Sequence, residues 1–217
     1  MIVAIDGGVA SGKSAVGRRV AKELNLPFID SGLMYRAISR LAVQRGVDPH
    51  DADALTSLAE STEIRVEGDH VWADGRDMTE GIFGTDYAEV LPVVSATPGV
   101  RDALVKQQRA AASKGIVMAG RDIGTIVFPD ADFKFFLTAS LEEKVRRRSA
   151  QYERRGETVD AGAMRQEVEL RDRADTERAV APLRPADDAV IVDTDELDID
   201  QVVALIVDQV RRGARPG

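Results

Sequence analysis

A chain of 217 residues, 44% hydrophobic and 30% charged, is long enough for one α/β domain and too apolar for wholesale disorder. Its formal charge of −8 argues against a broad nucleic-acid-binding face, and the absence of cysteine excludes disulfides, thiolate metal sites and a cysteine nucleophile. No stretch approaches the roughly 20 apolar residues of a membrane span, and the start MIVAIDGG lacks the basic and apolar regions of a signal peptide, so a cytoplasmic chain without membrane partners is expected.

Short apolar runs alternate with longer amphipathic stretches, the pattern of a parallel sheet covered by helices on both faces. In chain order, strands are expected at Ile2–Asp6, Pro27–Asp30, Ile116–Ala119, Phe133–Thr138 and Ala189–Asp193, near-continuous apolar runs as buried parallel strands require. Helices are expected over Lys13–Leu24, Leu33–Gln44, Leu141–Arg155 and Ile199–Arg212, with ARPG beyond the last as a frayed tail. Another helix is expected from Thr97-Pro98 onward, where VRDALVKQQRAAA has helical spacing. From Thr62 to Glu89 the rhythm breaks. There, EIRVEGDHVWADGRDMT alternates apolar and polar residues around Glu67-Gly68-Asp69 and Asp74-Gly75, which predicts a small antiparallel insert. His50 and His70 lie in polar, turn-like contexts and read as surface residues.

The strongest motif is Gly7-Gly8-Val9-Ala10-Ser11-Gly12-Lys13-Ser14, a full match to G-x-x-x-x-G-K-[ST]. It stands between an apolar strand and an amphipathic helix, the context in which this motif has a mechanism. Glycines let successive backbone N–H groups converge on phosphate oxygens, and the helix N-terminus adds partial positive charge. Lys13 would reach the β- and γ-phosphates of a nucleotide, and the Ser14 hydroxyl would join the Mg²⁺ shell. A GTPase fits poorly, because the only asparagine, Asn25, is not in an N-K-x-D segment and no D-x-x-G motif occurs.

Two further segments follow strands and so belong near the topological switch point of such a sheet. In Asp30-Ser31-Gly32-Leu33-Met34-Tyr35-Arg36, Ser31 reads as a helix N-cap, and Tyr35 and Arg36 lie about one turn in. Arg36 could grip a phosphate through two parallel hydrogen bonds, or simply sit on a solvated face. In Gly120-Arg121-Asp122-Ile123-Gly124-Thr125, Arg121 could bind phosphate while Asp122 accepts from an amino group on a base. Alternatively, the two satisfy each other as an ion pair.

GGVASGKS, DSGLMYRA, GRDIGTIVFPDA, RDRADTERAVAPL and VDTDEL, in this order and spacing, closely resemble the bacterial cytidylate kinases, almost from Ile2 to Val210. The resemblance implies a nucleoside monophosphate kinase: a P-loop NTPase-type three-layer α/β sandwich with a five-stranded parallel sheet. One kinase domain over 1–217 would comprise a core (1–61, 97–145 and 172–212), an acceptor-side antiparallel insert (about 62–96) and a mobile lid (about 146–171). It implies phosphoryl transfer from ATP, bound with Mg²⁺, to CMP or dCMP. By matching position, Ser31, Tyr35, Arg36 and Arg121 resemble the family's phosphate and pocket residues, and Arg101 with Asp122 the pair that reads the cytosine edge. Arg171, Asp175 and Arg178 match its pentose and phosphate contacts; their spacing i, i+4, i+7 would put them on one helix face, where a salt-bridge ladder is the alternative. One departure appears: without gaps from Gly75 to Pro98, the family's base-contacting serine falls on Pro92, with Ser95 and Thr97 nearby.

Lys144, Arg146, Arg147, Arg148, Arg154 and Arg155 crowd a short stretch before Gly156. Such a run is ordinarily a solvated face, but in a kinase mobile arginines neutralise the transferring phosphoryl group and exclude water. Arg147 and Arg148 match family positions at the root of the lid and are expected to face ATP, completing a catalytic set with Lys13 and Arg121. An acceptor that is already an anion needs no general base, whereas an alcohol would need a carboxylate such as Asp6 or Asp30. Small nucleotides are the expected partners, without nucleic acid, and the chain is expected to be a monomer because no long helix offers an obvious unpaired apolar face.

Overall fold

The computed structural model describes residues 1–84, 86–87, 89–154 and 156–213; Arg155 and the tail at 214–217 lie outside them. Five parallel strands, β1 (Ile2–Gly7), β2 (Phe28–Asp30), β6 (Ile116–Gly120), β7 (Phe133–Thr138) and β8 (Val190–Asp193), form one sheet in the order β2-β6-β1-β7-β8. Successive side chains of a strand point to opposite faces, and the core divides accordingly. Val3 and Ile5 pack on one face with Val117, Ala119, Phe135 and Leu137, covered by α1 (Lys13–Leu24) and α8 (Ile199–Arg212). Ala4, Ile116 and Met118 pack on the other, covered by α2 (Ser31–Gln44), α3 (Ala52–Glu60) and α5 (Pro98–Ala111). The result is a three-layer α/β sandwich.

Local chemistry sets the boundaries. The α8 helix opens on a capping box, with Asp198 accepting from Gln201 N–H at 2.8 Å and Gln201 Oε1 accepting from Asp198 N–H at 2.9 Å. It buries Val202, Val203, Ile206, Val207 and Val210 along one stripe. The α2 helix corrects one expectation: its N-cap is Asp30, whose carboxylate accepts from Gly32 N–H at 3.0 Å. Ser31 is already helical, and its hydroxyl donates to Ala119 O at 3.0 Å across to β6.

The break after α3 is a three-stranded antiparallel sheet of β3 (Ile64–Glu67), β4 (His70–Ala73) and β5 (Arg76–Asp77). Asp74 and Gly75 turn its second hairpin with φ of 49° and 76°, the positive pair that an Asp-Gly turn supplies. Ile64, Val66, Val71 and Ala73 face the core beneath α2, while Trp72 stacks between Arg65, 4.0 Å from its ring centre, and exposed His70. A short α4 (Val90–Ala96) leads into α5. Finally, α6 (Leu141–Glu153) and α7 (Ala161–Glu177) pack against each other as a helical hairpin. The alternation of apolar runs did not reveal α3, α4 or α7 as separate elements.

Candidate active site

Because β2, β6 and β1 are adjacent and parallel, Asp30 lies opposite Ala119 and Asp6 opposite Gly120. Three segments far apart in the chain thereby end along one edge of the sheet. A cavity of about 590 Å³ opens there, and Val9, Ala10, Gly12, Lys13, Ser14, Ser31, Tyr35, Arg36, Arg101, Arg121, Asp122, Arg148, Arg171, Asp175 and Arg178 line it. Its wall carries nine Lys and Arg side chains against three carboxylates, Asp30, Asp122 and Asp175. In a chain of charge −8, that concentration of cations would suit a multiply charged anion.

At one end stands the Gly7–Ser14 loop. A Cβ on Gly7 would fall 2.5 Å from Leu137 O and 2.6 Å from Ser11 Oγ, so only glycine lets the loop leave β1 this close to β7. Gly12 has φ of 88°, which sets the amides ahead of α1. Gly7→Ala is therefore expected to cost about 1–3 kcal/mol of unfolding free energy in urea denaturation. An unchanged midpoint and slope would show that the loop adapts. Lys13 donates to Gly8 O at 2.9 Å. Burial, followed by the nearby Arg121 charge, pulls its ammonium down from 10.5 to about 7. The Ser14 hydroxyl donates to Asp30 Oδ2, which places two oxygen donors together at the cavity wall.

At the other end, Arg101 pairs with Asp122, their side chains 4% and 6% exposed, and also donates to Ser95 O at 3.0 Å. Burial raises the Asp122 carboxyl above the ordinary range even though Arg101, Arg178 and Arg121 oppose it. Arg101 lies 5.5 Å from the Tyr35 ring centre. Arg121 does not pair with its neighbour Asp122: its Nε donates to Asp175 Oδ2 at 2.7 Å, and Arg171 stands 3.8 Å from the same oxygen. Arg171 and Asp175 lie one turn apart on α7, but that helix ends at Glu177. Arg178 is its extended C-cap and donates to Ala181 O, so it enters the cavity from the chain beyond the helix. Arg36 sits over the Phe83 ring at 4.9 Å.

Four expected residues stand elsewhere. Gly7, Gly8 and Ser11 shape the loop without lining the cavity. Arg147 pairs with Glu143 at 2.6 Å and donates to Ser11 O at 3.3 Å and Thr194 O at 2.6 Å, bracing the loop from outside, whereas Arg148 lines the cavity and is held by Glu167 at 2.8 Å. Arg146 and Arg154 remain on the surface, bonded to Glu143 and Ala150 O. Pro92 does not line the cavity; Ser95, one turn later on α4, does, and its hydroxyl donates to Pro92 O at 3.0 Å. Asp6 has both oxygens occupied, each accepting at 2.8 Å from Ile123 N–H or Gly124 N–H, so it clamps the Gly120–Thr125 segment. Burial raises its carboxyl to about 6. Phe83, Leu91, Arg18 and Gln151 also line the cavity. Their sequence contexts carry no motif, and only an isolated phenylalanine in a polar turn could have drawn notice.

The model of one protein family, described as cytidylate kinase, matches residues 3–212. Over 219 residues the chain is 45% identical to cytidylate kinase of Pelotomaculum thermopropionicum, covering 98% of this chain and 97% of that protein. It is 45% identical over 214 residues to the bifunctional pantoate ligase/cytidylate kinase of Synechococcus sp. (strain JA-3-3Ab), covering 95% of this chain and 40% of the larger protein. The chain thus spans about two fifths of the length of the bifunctional relatives that it matches. A solved structure, an uncharacterized protein from Eubacterium ventriosum ATCC 27560, aligns with a TM-score of 0.51 at 13% identity over 97% of this chain and 98% of that one, a likeness of fold alone.

Proposed function

The chain belongs to the cytidylate kinase family, and from that premise we infer that it transfers the γ-phosphoryl group of ATP to CMP, and to dCMP, giving ADP and the corresponding diphosphate. The observation that carries this reading is the cavity itself, with a phosphate loop at one end, a buried Arg–Asp pair at the other and cations between them.

ATP lies with its β- and γ-phosphates on the amides of the loop and on Lys13. The Ser14 hydroxyl and Asp30 carboxylate suit Mg²⁺, which takes hard oxygen donors and keeps several waters; when bound, it would neutralise charge on the transferring phosphates. CMP lies across the edge of the sheet, its phosphate on Arg36 and Arg121, its pentose near Arg171, Asp175 and Arg178, and its base against Tyr35, Arg101 and Asp122, with Ser31 and Ser95 at the pocket wall. A phosphate oxygen of CMP forms a bond to the γ-phosphorus as the bond to the ADP oxygen breaks. The acceptor is an anion, so no general base is required and catalysis is positioning with charge stabilisation. The geometry supports this over an alcohol acceptor, because both oxygens of Asp6 are engaged by backbone amides and those of Asp30 by Gly32 N–H and the Ser14 hydroxyl.

Residues 146–171 act as a lid that closes over ATP, bringing Arg148 to the phosphates, while Arg147 steadies the loop; the three-stranded sheet belongs to the acceptor side. Among the described residues no helix is long and apolar enough to cross a membrane, and we take the enzyme to work as a monomer in the cytoplasm. A coupled ADP-release assay with ATP–Mg²⁺ against CMP, dCMP, UMP and AMP tests the assignment. We expect kcat/KM for CMP and dCMP to exceed that for UMP by about 100-fold or more. Equal turnover of UMP would remove the base-reading role, and no turnover with any nucleotide would remove the reaction.

A further inference from the structure

We propose that Asp172 is a positioning residue that locks the ATP-binding loop to the helix carrying the CMP-side groups, so that donor and acceptor are held in line. This rests on the reading above, in which the loop binds ATP and α7 faces CMP. Both oxygens of the Asp172 carboxylate are used. Oδ1 accepts from the Val9 backbone N–H at 3.0 Å, and Oδ2 accepts from Lys144 Nζ at 2.6 Å. Three elements therefore meet on one side chain: the phosphate loop, α6 through Lys144, and α7, to which Asp172 belongs.

Gly8 supplies a second, independent observation. It is not among the residues with positive φ, so the turn does not demand glycine there. A Cβ at that position would instead fall 2.8 Å from Asp172 Oδ1 and 3.3 Å from Lys144 Nζ. The glycine makes room for the carboxylate and its lysine. On the same helix, Arg171 and Asp175 stand one residue before and three residues after Asp172 and line the acceptor part of the cavity, with Asp175 holding Arg121. A shift of α7 relative to the loop would thus move Arg121 and Arg171 relative to the γ-phosphate, and misplacement of about 1 Å costs as much as 100-fold in rate. The Lys144–Asp172 ion pair alone, partly exposed, would contribute little. The bond to the loop backbone is the part that fixes geometry.

The test compares wild-type enzyme with Asp172→Ala, Asp172→Asn and Lys144→Met. Asparagine keeps an oxygen for Val9 N–H but loses the ammonium contact, and Lys144→Met loses only that contact. We expect kcat of Asp172→Ala to fall about tenfold, with KM for ATP and for CMP each moving less than about threefold, because each substrate keeps its own binding groups. Asp172→Asn and Lys144→Met should agree with each other and stay within about threefold of wild type. A residue that only stabilised the fold would not give this split of kcat from KM, nor rescue by asparagine. Hydrogen exchange of the Val9 amide, followed without nucleotide, should accelerate at least tenfold in Asp172→Ala and little in Asp172→Asn. The inference is overturned by Asp172→Ala turning over within twofold of wild type, by asparagine losing as much as alanine, or by unchanged exchange at Val9. A wild-type enzyme that ignores CMP would instead overturn the assigned reaction, while the exchange measurement still reports on the contact.

Discussion

Lys13→Met is expected to lower kcat by about 1,000-fold while leaving the affinity for CMP within a factor of about three. The magnitude follows from what one preorganised cation or donor at developing charge contributes in a water-excluded site. Lys13 is buried at the start of α1, donates to Gly8 O at 2.9 Å and, among the described residues, forms no ion pair. Its ammonium is destabilised by burial and by Arg121, so a polyphosphate that arrives at the loop meets a cation held short of counter-charge. Methionine keeps the packing of the stem and removes only the charge. Steady-state ADP release gives kcat, and equilibrium titration with CMP gives its affinity. Near-normal turnover would sink the proposed mechanism, and a parallel loss of CMP binding would place Lys13 on the acceptor instead.

The second large effect concerns the buried pair at the far end of the cavity. Asp122→Ala leaves the Arg101 guanidinium buried with, among the described residues, only the Ser95 carbonyl at 3.0 Å as a hydrogen-bond acceptor. Stranding one partner of a buried pair costs about 3–5 kcal/mol, whereas replacing both by apolar groups of similar volume is often close to neutral. We therefore expect Asp122→Ala to lose most of that amount in urea denaturation, and Arg101→Met with Asp122→Leu to recover to within about 1 kcal/mol of the parent. The double variant should nevertheless lose its preference for CMP over UMP, because the two charged side chains proposed to read the base edge are gone. Recovery of stability together with retained preference would show that other groups, Ser95 first among them, read the base. Failure of the double variant to recover would mean that Arg101 carries structural contacts beyond the pair.

The sheet was legible in the sequence because its strands are continuous apolar runs bounded by charged or turn-forming residues, and the phosphate loop because its glycines, Lys13 and Ser14 act as one contiguous unit. The insert was legible for the same local reason, since a two-residue period and an Asp-Gly turn need no partner to be recognised. The Ser31 cap failed locally: Asp30, one residue earlier, is the better-placed acceptor for Gly32 N–H, and the serine hydroxyl finds Ala119 O on a strand 88 residues away. Helical spacing through Arg178 failed at one residue, where α7 has already ended.

Neighbouring residues were enough to read the chain order of the five sheet strands, the glycine-rich loop after β1, and the residue types delivered to the strand ends. Periodicity, turn chemistry and glycine conformations are properties of neighbouring residues, and they can be read without the fold. Tertiary structure alone decided which charge meets which. Arg121 takes Asp175 rather than adjacent Asp122, Arg101 takes Asp122, Arg147 braces the loop while Arg148 enters the cavity, and Asp172 reaches Val9 across 163 residues. The cavity carries several arginines and few carboxylates, so no local rule assigns the pairs. Strand order and the docking of α7 set which side chains come within hydrogen-bond distance, and burial then makes each of those choices matter.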